Sequence, residues 1–96
     1  MATVRFGVVG LGNMGLSHAQ YLINGEIKGA HLTAICDQAP EQLDRAAGAL
    51  GAEVKRFLRA EELFASGAVD AVLIATPHYD HPTLAIKALE QGLHVL

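Results

Sequence analysis

The sequence predicts an open α/β fold, a parallel sheet wound on both faces by helices. Three observations predict it. Short apolar runs that stop at glycine or aspartate alternate with stretches whose apolar residues recur every three or four positions. The alternation passes through four strand–helix units and enters a fifth strand, the order β-α-β-α-β-α-β-α-β. The clearest runs lack polar alternation, as strands covered on both faces do. Right-handed crossovers then give a sheet of order 3-2-1-4-5, with a crevice between strands 1 and 4 where the order reverses.

The elements follow in order. Val4 to Val9 is an apolar run ending at glycine, the first strand. Gly7 lies inside it, where glycine weakens a sheet, and close packing of a helix over it is the expected reason. From Asn13 to about Asn24 the spacing is helical, with Leu11, Gly15, Ala19, Leu22 and Ile23 able to share a face. Leu32 to Cys36 is a second strand ended by Asp37. Pro40 suits the first turn of a second helix, lined by Leu43, Ala46, Ala47 and Leu50 and closed by Gly51 in left-handed geometry. Glu53 to Phe57 is a short third strand, and Ala60 to Ala65 a short helix with Leu63 and Phe64 inward. Asp70 to Thr76 holds the buried run of the fourth strand. Asp80 to Gln91 is a helix with Leu84, Ala85, Ala88 and Leu89 on one face, and Leu93 to Leu96 starts a fifth strand in which the sequence stops.

Composition narrows the function classes. At 96 residues the chain is one domain, large enough for one core. With 51% hydrophobic and 18% charged residues it is expected to fold rather than stay disordered. A net charge of −3 favours neither nucleic acid nor an anionic membrane surface. The run 71–75 is far too short to span a bilayer. Cys36 is the only cysteine, so no intrachain disulfide forms, and a cytoplasmic location is expected. Cys36 itself is expected to be a buried, inert thiol.

The surplus glycine is concentrated in one motif. Gly10-Leu11-Gly12-Asn13-Met14-Gly15 fits G-x-G-x-x-G, directly after a buried strand and at the start of a helix. Asp37 ends the next strand, 22 residues after Gly15. Each part has a physical task. Gly10 lets the chain turn sharply off the strand, Gly12 leaves room for a pyrophosphate at the backbone, and Gly15 lets the helix pack close to the sheet. The helix start, at Asn13 and Met14, offers unpaired N–H groups and a positive dipole end to phosphates. Asp37 can accept hydrogen bonds from the adenosine ribose, whereas a 2′-phosphate would meet its negative charge. Gln38 follows where an arginine would have argued for the phosphorylated cofactor, so NAD is expected over NADP. The bland alternative is a tight turn beside a solvated aspartate.

Phe6-Gly7-Val8-Val9-Gly10-Leu11-Gly12-Asn13-Met14-Gly15, followed by His18, resembles the start of the Gfo/Idh/MocA oxidoreductases, the glucose–fructose oxidoreductase and inositol dehydrogenase group. Thr76-Pro77, His81, Ala85, Ala88, Leu89 and Gly92-Leu93-His94-Val95 resemble that family's T-P-N-x-x-H…A-x-x-A-L-x-x-G-K-H-V segment, and the likeness covers the whole chain. The resemblance implies an N-terminal Rossmann domain and a second α/β domain with a mostly antiparallel sheet. It implies NAD or NADP as cofactor and hydride transfer to or from a hydroxyl/carbonyl pair of a sugar, cyclitol or similar small metabolite. It also implies homo-oligomers formed through the second domain's sheet. On this reading residues 1–96 are an incomplete cofactor-binding domain. The E-K-P lysine and the acid–base residues that the family carries lie outside it, so no catalytic residue is assigned. A stand-alone dinucleotide-binding module and a redox sensor are the alternatives.

The expected cofactor set is therefore Gly10, Leu11, Gly12, Asn13, Met14, Gly15 and Asp37, with Ala75, Thr76 and Pro77 at the end of strand four, and His78 and His81 beyond. His78 stands where the family often has Asn, and Leu93 replaces a common Lys. His78, Asp80 and His81 carry metal-ligating groups, but capping by Asp80 and the family match explain them without a metal. Tyr79 is compatible with either a nicotinamide contact or helix packing. His18 is expected to pack under the cofactor loop. Glu61-Glu62 and Asp44-Arg45 read as solvated helix faces.

Overall fold

The computed structural model describes residues 4–24, 29–51, 53–76 and 81–96, the side chains of Asn13, Met14, Tyr21 and His81 excepted. Nine elements follow one another: β1 (Val4–Val9), α1 (Asn13–Ile23), β2 (Ala30–Cys36), α2 (Pro40–Leu50), β3 (Lys55–Phe57), α3 (Ala60–Ala65), β4 (Ala71–Ile74), α4 (His81–Glu90) and β5 (His94–Val95). The strands form one sheet in the order β3-β2-β1-β4-β5, every pair parallel. This is the doubly wound topology that the alternation of elements predicts.

Two apolar layers cover the sheet. One side holds Val8, Leu32 and Ile35 of the sheet against Leu11 at the entry to α1, Ala19 and Leu22 of α1, and Leu43, Ala46 and Leu50 of α2. The other holds Val9, Ala34, Val72 and Ile74 against Leu63 and Phe64 of α3 and Ala88 of α4. Alternate residues of β1 thus point to opposite layers, the period-two geometry of a strand buried on both faces.

Gly7 shows how closely the second layer approaches. A Cβ there would lie 3.0 Å from Val69 and 3.2 Å from Leu63, so the expected close packing over this glycine is present. The β1–β2 register also slips beside it, pairing Phe6 with Leu32 but Gly7 with Ala34. Thr33 is the unmatched residue, and its hydroxyl donates to the Ala68 carbonyl at 2.7 Å, tying the bulge to the segment before β4.

Three expectations need correcting. Leu89 is 59% exposed rather than on the buried face of α4. That helix packs through Ala88, with Leu84 and Ala85 partly buried, and a residue one step further is rotated by ~100° away from the contact. Gly51 has the expected positive φ of 97° but ψ of 162°, so it leaves the helix extended rather than left-handed helical. The third and fourth strands are shorter than expected: β3 covers Lys55–Phe57 rather than Glu53–Phe57, with Val54 buried outside the ladder, and β4 covers Ala71–Ile74 rather than Asp70–Thr76.

At the sheet edge where β1 and β4 begin, Arg5 and Asp70 fasten the two strands. The Asp70 N–H donates to the Arg5 carbonyl at 2.7 Å, and the Arg5 N–H donates to Asp70 Oδ2 at 2.9 Å. The guanidinium adds bonds from Nη2 to Oδ1 at 3.0 Å and from Nε to Oδ2 at 3.2 Å. No helix among the described residues is long and apolar enough to cross a membrane.

Candidate functional site

At the opposite edge, where β1, β2 and β4 end, a groove of about 800 Å³ opens. The β1 exit supplies Val9, Gly10, Leu11 and Gly12, the β2 exit Cys36, Asp37 and Gln38, and the β4 exit Ala75 and Thr76. Parallel strands make this edge. The main chain leaves all three ends together, and the reversal of order between β1 and β4 keeps the following helices from closing it. Backbone bonds hold the ends in line: Gly10 N–H donates to the Cys36 carbonyl and Ala75 N–H to the Val9 carbonyl, both at 2.8 Å.

The three motif glycines have separate tasks. Gly10 has φ +94°, and a Cβ on it would come within 2.9 Å of the Thr76 nitrogen, so the turn off β1 needs glycine twice over. A Cβ on Gly15 would collide with the Gly10 carbonyl oxygen. Gly15 is buried on the inner face of α1 and does not line the groove. It acts by letting the helix pack, not by touching a ligand. Gly12 differs from both. Its φ is −64°, nothing lies within 4 Å of where a Cβ would be, and it lines the groove. Nothing in the fold requires glycine at that position, whereas a ligand seated against the backbone would.

Asp37 is bonded on both oxygens. Oδ2 accepts the Leu11 N–H at 2.8 Å and Oδ1 accepts the Ala39 N–H at 2.9 Å. The second bond is an Asx turn that starts α2, whose cap residue Ala39 has no side chain for the task. The first joins the strand-2 acid to the glycine loop. Each carboxylate oxygen keeps a lone pair for a further donor.

Of the expected set, Gly10, Leu11, Gly12, Asp37, Ala75 and Thr76 meet in this groove. Asn13 and Met14 open α1. Pro77, His78, Tyr79 and Asp80 lie outside the described residues, and His81 is described only as the start of α4. His18 is half-buried on α1.

The groove also contains residues not expected in the site, among them Glu61, which is expected on a solvated helix face but lines the groove instead. Arg59, Ala60 and Glu61 at the entry to α3, and Thr83, Leu84 and Lys87 along α4, line it. Lys87 Nζ bonds Glu61 Oε2 at 3.3 Å, and Arg59 Nη2 stands 3.9 Å from the same oxygen. Glu61's own N–H, and then Lys87, hold its carboxyl below the ordinary value. Thr83, Leu84 and Lys87 are spaced for one helix face, the signal that a sequence reader has for them. Glu61 gives no such signal, because its role depends on where α3 sits.

Cys36 is 2% exposed at the groove's floor. Burial first, and then the charges of Asp37, Glu61 and Glu62, push its thiol up to about 12. Such a thiol stays protonated near neutrality and is a poor nucleophile, as expected from the sequence.

A doubly wound sheet with a glycine-walled groove at its switch point, and an acid on the neighbouring strand, defines a dinucleotide-binding unit. Comparison with known proteins gives the family. The model described as "Oxidoreductase family, NAD-binding Rossmann fold", that of the Gfo/Idh/MocA proteins, matches residues 4–96, and the chain belongs to this family. An inositol 2-dehydrogenase of Corynebacterium glutamicum strain R is 43% identical over 95 residues, which are 98% of this chain and 27% of that protein. A scyllo-inositol dehydrogenase from Lactobacillus casei, solved with NAD(H) and scyllo-inositol, superposes with a TM-score of 0.89 at 33% identity over 97% of this chain and 27% of that one. The WlbA dehydrogenase of Bordetella pertussis, solved with NADH and UDP-GlcNAcA, gives 0.85 at 36% identity over 97% of this chain and 28% of that one. The chain thus spans about a quarter of the length of the relatives it matches.

Proposed function

We propose that this chain is the cofactor-binding domain of an NAD-dependent oxidoreductase that moves hydride between nicotinamide and a hydroxyl/carbonyl pair of a cyclitol or sugar. The observation that carries the reading is Gly12, a groove-lining glycine that the fold itself does not require. A pyrophosphate at Gly12 meets the start of α1, where Asn13 and Met14 present N–H groups. The adenosine ribose falls to Asp37, whose oxygens keep acceptor capacity beside their backbone bonds. Ala75, Thr76 and Pro77 at the end of strand four, with His78 and His81 beyond, complete the cofactor set, His78 toward the nicotinamide end. The cofactor supplies the hydride chemistry, and these residues hold and orient it.

Asp37 and Gln38 favour NAD over NADP, in keeping with the NAD(H) bound in the Lactobacillus casei relative. The relatives' greater length supports a second domain, outside residues 1–96, that carries substrate, acid–base residues and the oligomer contact. A cytoplasmic enzyme fits the single buried cysteine.

Titrating the intact gene product with NAD and NADP, then screening cyclitols and sugars for nicotinamide reduction, tests the proposal. Tighter NAD binding and turnover of a polyol are expected, and absence of binding to either nucleotide would refute it. Within that assay, Asp37→Ala is expected to weaken NAD by about 1–3 kcal/mol, the usual loss for a hydrogen bond to a charged group. Unchanged affinity by calorimetry removes Asp37 from the site.

A further inference from the structure

Arg45 sits on the exposed side of α2, outside the groove. Its Nη2 nevertheless reaches across to donate to the Leu11 carbonyl at 3.1 Å. On the other side of the same residue the Leu11 N–H donates to Asp37 at 2.8 Å. The Leu11 side chain is fully buried beneath. Leu11 is therefore held at its N–H, its carbonyl and its side chain, and it is the residue between the two loop glycines.

The consequence follows from peptide geometry. The Leu11 carbonyl and the Gly12 N–H belong to one planar, trans peptide, so they point in opposite directions. A carbonyl fixed toward Arg45 fixes the Gly12 N–H on the side away from α2. Gly12 lines the groove and leads directly into α1. We propose that Arg45 is a positioning residue for the phosphate-binding loop, acting with Asp37 to set the Leu11–Gly12 peptide before any cofactor arrives. Asp37 then has two tasks, holding the loop as well as meeting the ribose. The inference rests on the NAD reading above for its effect on binding, though not for the clamp itself. A loop ordered in advance binds more tightly because less freedom is lost on association.

The test uses the intact gene product with Arg45→Ala and Arg45→Lys. Arg45→Ala is expected to weaken NAD roughly three- to tenfold, the range for one hydrogen bond. Arg45→Lys should recover part of the loss. ADP-ribose should lose the same factor, since it shares the phosphates and lacks only nicotinamide. Combined with Asp37→Asn, the two losses should fall short of additive, because both groups act on one residue. Amide hydrogen exchange without ligand gives the second readout, with the Leu11 N–H, which is bonded to Asp37, exchanging faster in Arg45→Ala. If the wild type binds NAD and Arg45→Ala binds it equally well, or if only NAD and not ADP-ribose is affected, the proposal is overturned. If the wild type binds no NAD, the functional reading fails instead. Exchange then decides the clamp: faster exchange upholds it and unchanged exchange overturns it.

Discussion

A Cβ on Gly12 meets empty groove and one on Gly15 meets the Gly10 carbonyl, so the same substitution has opposite consequences three residues apart. Gly12→Val should abolish NAD binding while lowering stability by only about 1 kcal/mol, the difference between a fair and a poor helix cap. Gly15→Ala should destabilise by about 1–3 kcal/mol or more, because backbone has to move. Binding titrations and denaturant melts on both variants separate the two effects. Cys36 makes a third expectation at this scale: its raised thiol should resist alkylation in the native protein near pH 8 and react once denaturant is added. Rapid native labelling would contradict its burial. The turn at Gly10 and the close packing at Gly15 were legible because they are matters of spacing and backbone sterics. Arg45 and Arg59 were not. A long side chain on a solvent-facing position reads as a solvated charge until the neighbouring element it reaches is known.

Elements were legible to within a few residues, since apolar periodicity marks a strand or helix centre better than its end. The fourth strand illustrates the limit. Its run includes Asp70 and Ala75, yet Asp70 is occupied by Arg5 and the ladder covers only Ala71–Ile74. The Thr33 bulge was invisible for a similar reason, because register belongs to a pair of strands and not to either sequence. The Arg5–Asp70 fastening yields a pH prediction. Hydrogen bonds from Arg5, side chain and backbone, hold the Asp70 carboxyl below its ordinary value. Its contribution is therefore present above the unfolded-state pKa of about 4 and fades as pH falls through the lower folded-state value. Asp70→Asn should be less stable than wild type at pH 7, and the gap in melting temperature should close toward pH 2. A gap that is constant with pH would show that the pair contributes by geometry alone.

For the molecule as a whole, sheet order and crevice were legible together, because parallel strands joined by helices have few right-handed arrangements. That topology brings residues as far apart in sequence as Gly12, Asp37 and Thr76 to one edge, and sets the Arg5–Asp70 fastening at the other. The groove is thus lined largely by the segments that leave the strand ends. What spacing alone could not give is the wall made by α3 and α4, where Glu61 and Lys87 meet only after both helices have packed on the same layer. The central claim is that a dinucleotide lies along this edge. The most direct measurement is a crystal structure of the intact gene product with NAD. The account predicts pyrophosphate oxygens within hydrogen-bond distance of the N–H groups at Gly12–Met14 and adenosine ribose hydroxyls on Asp37. NAD seated elsewhere, or a groove that stays empty at saturating NAD, would contradict it.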